Sequence, residues 1–285
     1  MRQHQLAPLV DNIVFGEGPR WHQDALWFSD IKDHCVNRLT SDGKIEKIVE
    51  IDGEPSGLGW LPSGELLIVS MLEHSLLRYD NNKLSLVANF SEHCGGKAND
   101  MVVDQYGHAF IGNLGFDIEA EPMVPAATQV VRVDIDGSVH IAATDIWCPN
   151  GMGITPDGKT LLVSQSASTE MLGFDLAADG GLSNRHVYTT LPDGATYDGI
   201  CVDSEAAIWA ANPVGHEFLR ALPGGEITDR IDTGNMQAIA CMLGGKDRKT
   251  LYCITNETNS LDIAEQQRGG MISTARVDVA GAGWP

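Results

Sequence analysis

Asn150-Gly151-Met152-Gly153-Ile154 runs into the turn Thr155-Pro156-Asp157-Gly158 and then into Leu161–Gln165. A polar residue opens a short apolar run. Proline and glycine then supply the fixed and the positive φ angles of a hairpin, and a second β-type run returns. The same text recurs along the whole chain. Its other openings are Glu17-Gly18-Pro19-Arg20-Trp21, Ser56-Gly57-Leu58-Gly59-Trp60, Asn99-Asp100-Met101-Val102-Val103, Asp198-Gly199-Ile200-Cys201-Val202 and Gln237-Ala238-Ile239-Ala240-Cys241. Six copies at a period of about 40–50 residues, with room for four strands in each, predict an all-β, six-bladed β-propeller. Second strands are expected at Leu26–Asp30, Leu66–Ser70, Ala109–Asn113, Leu161–Gln165, Ile208–Asn212 and Leu251–Thr255. The sixth copy runs out of chain before a fourth strand, whereas Leu6–Val14 is a β-type segment with no copy of its own. An unpaired strand edge invites aggregation, so the N-terminal strand is expected to complete the last blade and close residues 1–285 into one domain.

The composition is compatible with this and narrows the function. Of 285 residues 43% are hydrophobic, enough for a large core. Against 19 Lys and Arg stand 39 Asp and Glu, a net charge of −20. Such a surface repels nucleic-acid backbones and anionic lipid, so neither nucleic acid nor membrane is an expected partner. No apolar run reaches the length of a membrane span, and Met1–Pro8 builds no signal-peptide core. The six cysteines are scattered singly, without the paired spacing of a zinc site. Reduced, mostly buried thiols and a cytoplasmic protein are the expectation, with Cys241 and Cys253 placed to face each other across a hairpin.

The first residue of each copy lies at one mouth of a propeller's central channel. That ring reads Glu17, Ser56, Asn99, Asn150, Asp198 and Gln237, and every member carries a side-chain oxygen. Polar residues tolerate any wet entrance. Two carboxylates among amide oxygens are also the donor set that a hard divalent cation such as Ca²⁺ or Mg²⁺ prefers. Other chemistries lack their residues: there is no G-x-S-x-G nucleophile elbow and no H-E-x-x-H zinc motif. Asp134-Ile135-Asp136-Gly137 begins like a calcium loop, but the later ligands are missing and a hairpin is expected there. Trp147 and Trp209 read as core residues.

Phe15-Gly16-Glu17-Gly18-Pro19-Arg20-Trp21 followed by Ala25–Asp30 resembles the opening of the SMP-30/gluconolactonase/LRE (regucalcin-like) family. The resemblance continues through Ala98-Asn99-Asp100, Pro149-Asn150-Gly151, Pro156-Asp157-Gly158-Lys159, Leu182–Arg185, Asp198–Cys201 and Gly244-Gly245, in order and across essentially the whole chain. It implies a six-bladed propeller with one catalytic divalent cation at the channel mouth. By motif, the metal ligands fall on Glu17, Asn150 and Asp198, and an asparagine close to substrate falls on Asn99. Calcium is the first expectation for the metal, and Mg²⁺, Zn²⁺, Mn²⁺ or Fe²⁺ also suit such a site. The resemblance further implies a hydrolase that opens a sugar lactone or a related small lactone or ester. Asp198 is the expected proton acceptor, because it can touch both metal and water.

Departures from the family's pattern bear on substrate. Lys97 stands where sugar-lactone members carry an arginine, which keeps the charge but not the bidentate geometry. Asp117, within Gly112-Asn113-Leu114-Gly115-Phe116-Asp117, takes the place of an acidic substrate contact in a run of different text, and Tyr197 replaces a proline before the aspartate. Lys97 and Asp117 are candidate substrate-binding residues or partners in a surface salt bridge. The pocket is expected to be reshaped. Two other readings keep the fold: a non-catalytic propeller that binds calcium or a protein partner, and a metal-dependent enzyme acting on another small molecule, such as an organophosphate or a biosynthetic intermediate.

Overall fold

The computed structural model describes residues 1–40, 43–117 and 120–283. Six sheets stand around a common axis, each with four antiparallel strands and one extended by a fifth. Their inner strands are Gly16–His22, Pro55–Trp60, Ala98–Val103, Pro149–Ile154, Ile200–Val202 and Gln237–Gly244. Each packs on the next, and the sixth packs back on the first, so the ring is closed. All six of the expected polar residues lie at or just before the start of an inner strand, at one mouth of the channel.

Burial follows this arrangement from the inside out. Pro55–Trp60, Ala98–Val103 and Pro149–Ile154 are buried along their whole length, because neighbouring blades cover both faces. Blade faces meet in apolar layers. One holds Leu67, Val69, Met101, Ile111 and Val131, and another holds Phe110, Met152, Ile154, Leu161 and Phe174. The outermost strands, such as Lys83–Asn89, face solvent.

The last blade is completed from the other end of the chain. Ala7–Ile13 pairs antiparallel with Gly270–Arg276, with Ala7 opposite Thr274 and Ile13 opposite Gly270. The seam is pinned from within: Asn256 Nδ2 donates to the Val14 carbonyl at 2.8 Å, and the Asp30 carboxylate accepts from the Val14 and Phe15 amides. Ahead of this strand, Arg2–His4 adds a parallel fifth strand to the fifth sheet, held through His4 Nε2 and Asp229 Oδ1 at 2.8 Å. The repeat pattern gave no sign of that strand. It is too short for a period, and its partner is decided by the path of the chain over the closed ring.

All six cysteines are free and five are buried, and Cys241 lies opposite Cys253 in the sixth blade. Asp134–Gly137 turns a hairpin between Thr128–Val133 and Val139–Ile146. The tryptophans divide. Trp209 is wholly buried, but Trp147 is 43% exposed and corrects the core assignment made for it. It stands on the connection into the fourth inner strand, which runs over the surface instead of between blades.

Candidate metal centre

Glu17, Ser56, Asn99 and Asn150 are each the second residue of their inner strand, and at each the ladder to the next strand slips. The register breaks between Glu17 and Arg20, Pro55 and Leu58, Ala98 and Met101, and Pro149 and Met152. A bulge re-aims the side chain beside it. In these four blades the repeated irregularity therefore turns the polar residue out of the blade-to-blade alternation. Glycine makes the accompanying close approach possible. At Gly18, with φ +54°, a Cβ would lie 2.5 Å from the Ser56 carbonyl oxygen. At Gly151 it would lie 2.6 Å from the Asp198 carbonyl oxygen, which instead accepts the Gly151 amide at 3.3 Å. That contact, together with the Gly199 amide on the Ile239 carbonyl at 2.8 Å, holds the backbone of Asp198 at the mouth.

Glu17, Asn150 and Asp198 come together there. Asn150 Nδ2 donates to Asp198 Oδ1 at 2.8 Å and to Ser166 Oγ at 3.0 Å, while Asn150 Oδ1 is buried without a donor. Glu17 is 4% exposed, and its Oε2 accepts the Gly18 amide at 2.6 Å. Burial pushes the Glu17 carboxyl well above the usual carboxylate range, and the charges of Asp198 and Asp100 push it further. Burial likewise raises Asp198, against the hydrogen bond from Asn150. Two carboxyl groups that resist ionising together, beside an amide oxygen that lacks a donor, form an arrangement that a hard cation relieves. These three residues fit a divalent ion. Among the described residues no three His, Cys, Asp or Glu side chains cluster for a metal, so the amide is an integral part of this set.

Around them the remaining candidates separate. Asn99 is buried, with Oδ1 3.4 Å from Ser56 Oγ and Nδ2 without an acceptor, so it presents an amide donor in the same ring. Lys97 is half-buried at the rim, its Nζ 3.7 Å from Glu54 Oε2. Asp117 is exposed on the loop after Ala109–Asn113. The stretch from Gly115 to Thr128 that contains it includes residues 118 and 119, outside the described ones. Tyr197 packs in the core beside Leu191, Ile200 and Leu219, so its ring is not part of the mouth. Burial pushes the Cys148 thiol up to about 11, which removes it as a thiolate nucleophile at neutral pH.

Several residues here escaped the sequence reading. Glu54, buried with φ +61°, anchors Lys32 Nζ at 2.8 Å as well as Lys97. The helix Leu261–Gln267 brings Asp262 and Glu265 to within 3.5 and 3.8 Å of the same lysine. Beneath the ring, Arg20 pairs with Asp100 at 2.8 Å. Arg20 and Asp100 stood inside the quoted motifs and carried a signal, because charged residues on wholly buried inner strands require partners. Glu54 and Lys32 carried none, being joined only by the meeting of two blades.

A model of the SMP-30/gluconolactonase/LRE-like region matches residues 15–257. The chain belongs to this family. Like other members of the SMP-30/gluconolactonase family it is a β-propeller, and its relatives are matched over nearly their full length. A 6-deoxy-6-sulfogluconolactonase of Pseudomonas putida is 25% identical over 284 residues, covering 95% of this chain and 94% of that protein. A regucalcin of Danio rerio is 28% identical over 268 residues, 90% of this chain and 88% of its own. The crystal structure of a calcium-binding protein, regucalcin, from Agrobacterium tumefaciens superposes with a TM-score of 0.81 at 22% identity, over 100% of this chain and 98% of that one.

Proposed function

We propose that this chain is a divalent-cation-dependent lactonase, and that residues 1–285 act as one propeller domain. The observation that carries the reading is the convergence of Glu17, Asp198 and the undonated Asn150 oxygen at one channel mouth. Relatives named as lactonases give the reaction class. Glu17, Asn150 and Asp198 would hold the ion, with Ca²⁺ first among those that suit oxygen donors and Mg²⁺, Zn²⁺, Mn²⁺ or Fe²⁺ next. Such an ion, when bound, supplies a Lewis acid for the lactone carbonyl and for the charge that develops on its oxygen.

The chain's own residues account for the other requirements. Asp198 accepts the proton of the attacking water, because burial makes its carboxylate a stronger base than a surface aspartate. Water oxygen bonds to the carbonyl carbon, the ring C–O bond breaks, and the released alkoxide takes the proton from Asp198 to give the hydroxy acid and restore the base. Asn99 Nδ2 offers a donor to the substrate. Lys97 and Asp117 orient substituents on the ring. A lysine in place of the arginine keeps the charge but loses the bidentate geometry, so the proposed substrate is a sugar lactone or a related small lactone or ester. Among the described residues no helix is long and apolar enough to cross a membrane. The free cysteines suit a reducing compartment such as the cytoplasm.

The test is hydrolysis of a γ- and a δ-lactone, followed by proton release. Chelator-treated protein is expected to be inactive and to recover on addition of Ca²⁺ or another of these ions. A chain that opens no lactone or ester with any divalent ion is a scaffold or acts on another class of molecule, and the proposal then fails.

A further inference from the structure

Beneath the ring the channel contains a cation of the protein's own. Arg20, on the first inner strand, is 3% exposed. Its Nη2 lies 2.8 Å from Asp100 Oδ1 on the third inner strand and also meets the Met101 carbonyl, while Nη1 donates to the Pro19 carbonyl at 2.8 Å. Asp100 is 1% exposed and accepts the Met101 amide at 2.8 Å. Arg20 also lines a small cavity of about 30 Å³ together with Val102, Met152, Ile200 and Met242. The guanidinium thus lies beneath the ring, almost fully buried and fixed by three acceptors.

We propose that Arg20 is the built-in counter-charge of the metal centre: by balancing Asp100 it leaves Glu17 and Asp198 as the two carboxylates that match one divalent cation. This rests on the metal-binding reading above and goes beyond it to a positioning residue that touches neither ion nor substrate. Three carboxylates, Glu17, Asp198 and Asp100, lie close enough to act on one another electrostatically. In a buried site such charges are weakly screened, so the balance of fixed charges governs which ion is held. Arg20 reduces three negative charges to two at a place where mobile counter-ions cannot do so. The orphaned Asn150 oxygen then adds a neutral donor to the set.

The signature of a counter-charge is that its effect scales with the charge of the ion, and that it can be reset by a second substitution. Ca²⁺ titration calorimetry and Tb³⁺ luminescence titration are run on the full chain as wild type, Asp100→Asn, Arg20→Met and the double variant. Asp100→Asn leaves Arg20 unbalanced and is expected to weaken Ca²⁺ about tenfold or more, and Tb³⁺ further. The double variant restores the wild-type balance and is expected to bind both ions within a few-fold of wild type. Arg20→Met, if it folds, binds Ca²⁺ no more weakly than wild type and shifts its preference toward Tb³⁺. If it does not fold, Asp100→Asn and the double variant suffice. Asp100→Asn with both affinities within twofold of wild type overturns the proposal. So does a double variant as weak as Asp100→Asn, the result expected if Asp100 were itself a ligand. A wild-type chain that binds neither ion overturns the metal-dependent function instead.

Discussion

At the scale of single residues, Asp198 and Glu17 are both carboxylates at the same mouth, yet they are assigned different work. Asp198 is within hydrogen-bond reach of Asn150 and retains partial exposure, whereas Glu17 is closed in and bonded to its own neighbouring amide. Asp198→Asn keeps the size and one oxygen but removes the base. It is expected to lower the lactonase rate about 10²–10⁴-fold at saturating cation. Glu17→Gln is expected to act through ion affinity, so excess cation restores part of its rate. The pair also makes a thermodynamic prediction. Both carboxyls are raised above their ordinary range, so ionising them opposes folding, and that penalty grows as pH rises through their folded pKa values. Asn at 198 has no charge to desolvate. In chelator at pH 8, Asp198→Asn is expected to melt no lower than wild type while gaining less from added Ca²⁺. Calorimetry of the two proteins with and without Ca²⁺ checks this, and a large metal-free loss for the variant would assign Asp198 a structural role instead.

At the scale of elements, the decisive joint is the pairing of Ala7–Ile13 with Gly270–Arg276. The strand belongs to the first residues of the chain and to the last blade, so ring closure is a contact between sequence ends. Removing residues 1–14 leaves Gly270–Arg276 as an exposed edge and unseats Ile13 and Val14, both buried. Aggregation, or a drop in melting temperature of many degrees, is the expected outcome. A soluble truncated protein with unchanged melting would show that the sixth blade stands on three strands. The helix Leu261–Gln267 is the other element of consequence. With seven residues it has little stability of its own, and its acidic side chains reach Lys32 across the mouth between the last and first blades.

At the scale of the molecule, a net charge of −20 and a mouth rich in buried carboxylates both favour cations. Binding of an ion to the folded chain alone stabilises it by mass action, by about 2.7 kcal/mol at a hundredfold excess over Kd. Ca²⁺ is therefore expected to raise the melting temperature by several degrees over chelator-treated protein, an effect that Glu17→Gln reduces. Monovalent salt at equal ionic strength, which only screens the surface, is the control.

The division between chain and fold follows from the range of the forces involved. Periodic polar residues, proline–glycine turns and short apolar runs are local, and they were enough to specify six blades, the closing strand and the ring of Glu17, Ser56, Asn99, Asn150, Asp198 and Gln237. The short motifs around Glu17, Asn150 and Asp198 were legible for the same reason: the bulges at Glu17 and Asn150 are written within four residues of their side chains, and Asp198 stands two residues before its inner strand. Trp147 was misread because burial depends on whether a connection runs between blades or over them, and residue type does not encode that. The added strand Arg2–His4, the helix Leu261–Gln267, the salt bridges from Glu54 to Lys32 and Lys97, and the pairing of Arg20 with Asp100 across the channel were decided only by tertiary structure. Each joins residues that lie in different blades, or at opposite ends of the chain, and nothing in the local text of either partner determines which blade it will face once the ring is closed.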